Sequence, residues 1–439
     1  MKKIMEKVMN QITDNKAQGD LMFSNSSALK MSSQKNEIAT YNVTSSQILG
    51  VRVIKNGKVG LSYTEALDDE SLNLVVKQAL QNAEVTDNNP HEQIMEISGE
   101  IKDELIVPEE DIDISVKTQK ALELESRIRS LDSRVSSVPY NGYSEQDYYS
   151  HYLSSKGRFT TYKDKSYSIT TSAVMEEQGR KSSFYDYHTS HTFKDLKFDK
   201  VIETSLFHAR NLLQEQSLPT GKYSIRFSED SLQSIFNCFS NFYSAKASMD
   251  QMNPWASKLG ENVISQDLTI VDHPLFERSF RTSKFDSEGV ARKPLTLIEN
   301  GELKSFYHNS VTANFFKTKT TGHAARGPSA PLGIFGTDLL VQGKNVKPLP
   351  EKYLEVIQLA GLHSGANRVT GTFSLAVKGY LWERGERVAT IGNVTISGNL
   401  MDFLNNVEVV GAELLASTDE SFFSVPLIFH GVSVAGSVN

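Results

Sequence analysis

ILGVRVIKNGKVGLSYTEAL, residues 48–67, decides how the chain is read. Apolar residues alternate with polar or small ones on both sides of Asn56-Gly57, and period-two alternation about Asn-Gly is the signature of a two-residue β-hairpin. Directly afterwards the period changes. Asp68 and Asp69 can cap a helix on which Leu72, Val75, Val76, Ala79, Leu80 and Ala83 form one stripe. A hairpin followed by a helix, without strict strand–helix alternation further on, predicts an α+β fold. The expectation is an N-terminal α/β region with an antiparallel sheet and amphipathic helices, then a strand-rich C-terminal domain.

Upstream, Ile4, Val8 and Ile12 fall at i, i+4 and i+8, an amphipathic helix and not a signal peptide, because no continuous apolar core is present. Downstream, SGEIKDELIVPEEDID (98–113) reads as a connector. A helix follows, with Val116, Ala121, Leu124, Ile128 and Leu131 on its buried side. Residues 135–192 alternate as an antiparallel meander turning at 155–157 and at Gln178-Gly179. A third helix, from about 196 to 216, turns Val201, Ile202, Leu206, Ala209, Leu212 and Leu213 inward, and LPTGKY (218–223) marks a domain boundary. Beyond it strands are expected in KYSIRFS, LTIVDH, RVTGTFSLAVKGYLWERGERVATIGNVTISG and SVPLIFHGVSVAG, with a hairpin at Asn300-Gly301. Short helices are expected at 230–246, 309–318, 350–360 and 399–405. The implied division is 1–100, 101–217 and 218–439.

Composition narrows the function. The 439 residues are 39% hydrophobic and 23% charged, as in ordinary globular proteins of two or three domains. A formal net charge of −7 without a Lys/Arg cluster argues against direct binding of nucleic acid or anionic membranes. The single cysteine, Cys238, rules out an internal disulfide and fits a reducing cytoplasm. No apolar run approaches the roughly eighteen residues of a membrane span.

Four motifs carry residue types that could do chemistry. HEQIME (91–96) begins like a zinc-protease motif, but Met95 stands where the second histidine belongs. His188 and His191 lie in a strand-like segment, where residues three apart face opposite ways. In KFDSEGVARK (284–293), extended backbone would put Asp286 and Glu288 on one face, with Gly289 free to adopt positive φ; the plain alternative is a solvated turn. His323, after Gly322, either orients a ligand or holds a loop. There is no phosphate loop and no nucleophile elbow, and Cys238 sits among apolar residues as a buried small side chain.

Several segments together resemble the TldD/PmbA family. FDSEGV (285–290), TTGHA (320–324), RVTGTFSLAVKGYLWERGE (368–386), TISGNLMDFLNNVEVVG (395–411) and GVSVAG (431–436) occur in that family's order, and the resemblance runs over roughly residues 20–438. It implies a cytoplasmic proteolytic system, once named for modulation of DNA gyrase, with two branches. In the TldD branch a helix opening the C-terminal domain carries HExxxH, and a later cysteine completes a zinc site. The PmbA, or TldE, branch lacks these ligands and pairs with a TldD chain as a heterodimer that admits unfolded peptides. The corresponding helix here reads LQSIFNCFSNFYSAK (232–246), with Phe236 and Asn237 near the His-Glu pair and Asn241 near the second His. No histidine lies between His208 and His273. Thr372 departs from the family, standing where an acidic residue is usual.

The resemblance therefore implies a non-catalytic subunit with no catalytic residue, no metal ligand and no cofactor of its own, the zinc being expected in a TldD-like partner. Asp286, Glu288, Gly289, His323 and Asn399 are the candidates for facing a shared peptide channel or interface. Two alternatives stay open: a protease-independent peptide-binding adaptor, as a homodimer, and a metalloenzyme using His188, His191 or His323.

Overall fold

The computed structural model describes residues 1–105 and 112–437. It is 23% helix and 43% strand, an α+β protein. The hairpin that opened the sequence reading closes as expected: Glu37–Lys55 and Lys58–Thr64 pair antiparallel. Asn56 and Gly57 have φ of 54° and 72°, as a type I′ turn requires.

That hairpin belongs to an eight-stranded sheet running Lys58–Thr64, Glu37–Lys55, Gln18–Gln34, Gly142–Ser154, Arg158–Glu177, Gly99–Glu104. Val135–Ser137 and Arg180–Ser190 also pair with Arg158–Glu177. The turns at 155–157 and 178–179 form where expected. Strands from either side of residue 100 are thus neighbours: Gln18–Gln34 pairs with Gly142–Ser154. The expected connector 98–113 contains the strand Gly99–Glu104, parallel to Arg158–Glu177; its residues 106–111 lie outside the described residues.

Alternation turns one face of this sheet toward four helices. Leu21, Phe23, Leu49, Val51 and Val53 pack beneath Lys2–Asp14 and Asp69–Val85. Leu29, Met31, Tyr143, Tyr167 and Ile169 pack beneath Ile114–Leu131 and Phe198–Leu212. Asp68 caps its helix, its Oδ1 accepting from Ser71 N–H at 2.9 Å. Val116 and Leu131 turn out exposed; they lie toward the ends of their helix, beyond the stripe formed by Ala121, Leu124 and Ile128.

The C-terminal half has its own core and two six-stranded sheets. One of them orders Glu386–Asn399, Thr372–Glu383, Lys352–Ala360, Gly221–Phe227, Leu427–Ala435, Val407–Val409. The helix expected at 350–360 is therefore a strand, Lys352–Ala360. Leu354 and Val356 are buried between a parallel neighbour and an antiparallel one, and such pairing overrides a short, ambiguous apolar pattern. The expected helix 230–246 is interrupted: Glu229–Cys238 gives way to a 3₁₀ turn, Ser240–Tyr243, and then Ala245–Met249. Phe239, Phe242 and Tyr243 are buried around that break. Among the described residues no helix is long and apolar enough to cross a membrane.

Candidate functional site

The second face of the N-terminal sheet is where the two halves meet. Strand register aligns Asp20 with Arg52, Met22 with Gly50 and Tyr152, Tyr152 with Thr160, and Ser150 with Tyr162, so all point away from the helices. Read locally this is a solvent face. In the fold, loops of the C-terminal half cover it. The Asp20 and Arg52 side chains are 0% and 1% exposed. Arg52 donates from Nε and Nη2 to Asp20 Oδ2 at 3.0 and 2.6 Å, and Arg326, from the C-terminal half, donates to Asp20 Oδ1. Arg52 Nη2 also lies 3.6 Å from Glu288 Oε1. Burial pushes the Asp20 carboxyl up, but Arg326 and Arg52 outweigh it and hold it below the usual range. Burial raises Glu288 to about 7, helped by Asp286 and opposed by Arg52.

The sequence candidates partly converge here. Segment 285–291 is a tight turn, not extended backbone, so Asp286 and Glu288 serve different partners. Asp286 accepts backbone N–H bonds from Glu288, Val290 and Ala324 at 2.9–3.0 Å. Glu288 accepts from Ser310 N–H at 2.9 Å and from its hydroxyl. Both carboxylates are buried, so this is not a solvated turn. Gly289 has φ 71°, and a Cβ there would lie 2.6 Å from Arg158 Cγ. His323 is fully buried, its Nε2 3.0 Å from Asp272 Oδ1 and its Nδ1 2.9 Å from Thr321 Oγ1. Asn399 is not part of this group. It caps Leu400–Asn405, accepting from Met401 N–H at 2.9 Å. His188 and His191 lie at the end of the meander, with His191 between the carbonyls of Lys165 and Phe280 at 2.8 and 2.7 Å. Among the described residues, no three His, Cys, Asp or Glu side chains cluster as metal ligands.

Asp338, beside Asp272, is buried with its Oδ2 unpartnered, and burial raises its carboxyl to about 7. The folded state then holds a proton that the unfolded chain releases near its ordinary pKa of about 3.9. Stability contributed below that value is lost as pH rises toward 7. Asp338→Asn should match the parent chain closely at pH 4 and exceed its stability by about 4 kcal/mol at pH 8. Urea unfolding at the two pH values reads the difference, and equal offsets at both would remove the cause assigned.

A larger cleft, of about 720 Å³, lies between the meander's last strand and the C-terminal sheet. Its walls include Tyr185, Tyr187, Gln233 and residues 357–360. Strand Gly221–Phe227 pairs with Lys352–Ala360 only over residues 354–356 and then turns into the helix Glu229–Cys238. Among the described residues, 357–360 therefore keep one unpaired edge beside the cleft, and Arg180–Ser190 pairs only with Arg158–Glu177. The helix presents Ser231, Gln233 and Ser234 to this space. Gln233 Nε2 is already bound to Asp419, at 3.0 Å from each oxygen, and to Ser421 Oγ at 2.8 Å. His208, also on the wall, bonds Tyr380 OH at 2.7 Å; burial, with Arg387 nearby, lowers it to about 4.

Three family profiles match this chain in succession: PmbA/TldA metallopeptidase domain 1 over residues 19–83, the central domain over 107–213 and the C-terminal domain over 220–436. The chain belongs to the PmbA/TldD family. The metalloprotease PmbA of Escherichia coli O157:H7 is 23% identical over 431 residues, covering 94% of this chain and 92% of that protein. The crystal structure of TldE from Thermococcus kodakarensis superposes with a TM-score of 0.82 at 19% identity, covering 99% of this chain and 100% of that one. A Thermotoga maritima protein provisionally named as a modulator of a DNA gyrase gives 0.84 at 22% identity, covering 99% and 100%. At these identities the structures establish a shared fold.

In this PmbA/TldD chain the helix that would hold zinc offers a poor donor set. On the helix beside the cleft Phe236 is buried against Phe422, with ring centroids 5.4 Å apart, and Asn237 points outward. Hydrolytic zinc takes three N, S or O protein ligands, chiefly His, Cys or carboxylate. These side chains do not fit it.

The residues that join the halves, Asp20, Arg52 and Arg326, were not singled out from sequence. Their only local signal was charge on the face that alternation assigns to water.

Proposed function

We propose that this chain is the non-catalytic, PmbA/TldE-type subunit of a cytoplasmic two-chain metallopeptidase that acts on unfolded peptides. It shapes the peptide path, and a TldD-like chain carrying HExxxH supplies the zinc. The observation that carries this reading is the helix Glu229–Cys238. It borders the large cleft, yet it buries Phe236 and commits Gln233 to Asp419 and Ser421. The cleft itself supports peptide binding. An extended segment can add to the open edge of residues 357–360 through main-chain hydrogen bonds, independent of its side chains. Asp286, Glu288 and Gly289 serve this function indirectly, by fixing the two halves that form the walls.

The tagged chain, drawn from the cytosol of its own host, should bring down an HExxxH-bearing relative in near-equal amount. Recovery of the chain only with copies of itself would favour the protease-independent adaptor instead.

A further inference from the structure

A second, smaller cavity of about 190 Å³ lies between the docking face of the N-terminal sheet and the 283–292 segment. Its walls are mainly apolar or aromatic: Met22, Phe285 and the rings of Tyr148 and Tyr162. Two arginines line it, Arg292 and Arg326, and Arg326 is already committed to Asp20. Arg292 Nε donates to Gly322 O at 3.1 Å. Its two Nη groups have no hydrogen-bond or ion-pair partner among the described residues. The nearby Asp286 acts on it only through charge, its oxygens accepting from the backbone N–H groups of Glu288, Val290 and Ala324. Tyr162 OH likewise has no partner among the described residues, and burial keeps it protonated as a donor. Two further wall residues carry buried polar atoms without partners: Thr160 Oγ1, and Arg326 Nε and Nη1.

The buried, unpartnered atoms of Thr160 and Arg326 cost free energy, and the planar fork of Arg292, with both outer nitrogens free among the described residues, matches a carboxylate. We infer that this cavity is a binding site for a small monocarboxylate with a flat apolar body, its carboxylate on Arg292 and Tyr162 and its body against Met22 and Phe285. The size agrees, since a cavity of about 150 Å³ accommodates benzene. A dianionic phosphate fits less well, because the carboxyls of Asp286, Asp272 and Asp338 surround the same guanidinium. The inference does not depend on the metallopeptidase reading, because the site lies wholly within this chain.

Calorimetric titration of the full chain with 3-phenylpropionate and with 3-phenylpropanamide tests it. The acid should bind roughly tenfold or more tightly than the amide. Arg292→Gln should erase that preference, and Tyr162→Phe, which leaves the Gly322 bond in place, should weaken the acid several-fold. Thermal unfolding of each variant confirms that it is folded. The tripeptide Ala-Ala-Phe and its C-terminal amide form a second pair: tighter binding of the tripeptide acid than of 3-phenylpropionate would identify a peptide terminus as the source, and the reverse a free small acid. No binding of either acid, equal binding of acid and amide, or a preference that survives Arg292→Gln in a folded chain would overturn the inference.

Discussion

Replacing Asp20 with Asn is expected to destabilise the chain by about 3–5 kcal/mol, the range for breaking a buried ion pair by removing one partner. The shape of the side chain is kept and only the charge is lost. Arg52 and Arg326 both bond this carboxylate, and their side chains are 1% and 0% exposed. Without it, two guanidinium groups stay buried with only Glu288 and Glu92 near Arg52, at 3.6 and 3.4 Å. Burial has already raised both of those carboxyls, so neither replaces Asp20. Urea unfolding measures the loss. Adding Arg326→Met should recover part of it, because one of the two stranded charges is then gone. A loss under about 1 kcal/mol would mean that water reaches the cluster and that the halves are not sealed there.

Gly50→Ala is the second large effect, expected at about 3 kcal/mol or more. Gly50 lies on the docking face, where its missing side chain admits the C-terminal half. A Cβ there would fall 1.8 Å from Pro328 O and 2.6 Å from Pro328 Cα. Backbone atoms cannot rotate aside as a flexible side chain can, so either the strand or the loop around Pro328 must move. Gly179→Ala is the matched control. Gly179 has φ 80° but no atom within 4 Å of the added carbon, so the variant should lose only about 1 kcal/mol to backbone strain. Similar losses in the two variants would show that Gly50 matters for conformation and not for contact between the halves.

These two residues also mark where the sequence stopped being legible. The hairpin at Asn56-Gly57, the helix capped by Asp68 and the meander turns could be read because turn chemistry and apolar period act over a few residues. The long pairing of Gln18–Gln34 with Gly142–Ser154 could not, since its partners are more than a hundred residues apart in a polar stretch. Arg52 shows the same limit at the level of one side chain. Alternation places Leu49, Val51 and Val53 on one face and Arg52 on the other, but it says nothing about what covers Arg52. Only the tertiary fold brings Asp20, Glu288 and Arg326 to it. Asp286 and Glu288 could be found because a Gly-containing acidic turn stands out, but their partners, backbone N–H groups and Ser310, leave no trace in a local pattern. Residues 350–360 failed differently: the apolar spacing there suits a helix or a strand, and the neighbouring strands decide.

We propose that this PmbA/TldD chain needs a partner's metal to cleave peptides. The most direct measurement is hydrolysis of an unfolded polypeptide by the purified chain, alone and mixed with an HExxxH-bearing member of the family, each with and without EDTA. The account predicts no cleavage by the chain alone, and cleavage by the mixture that EDTA abolishes. Cleavage by the isolated chain that disappears on adding EDTA would contradict it.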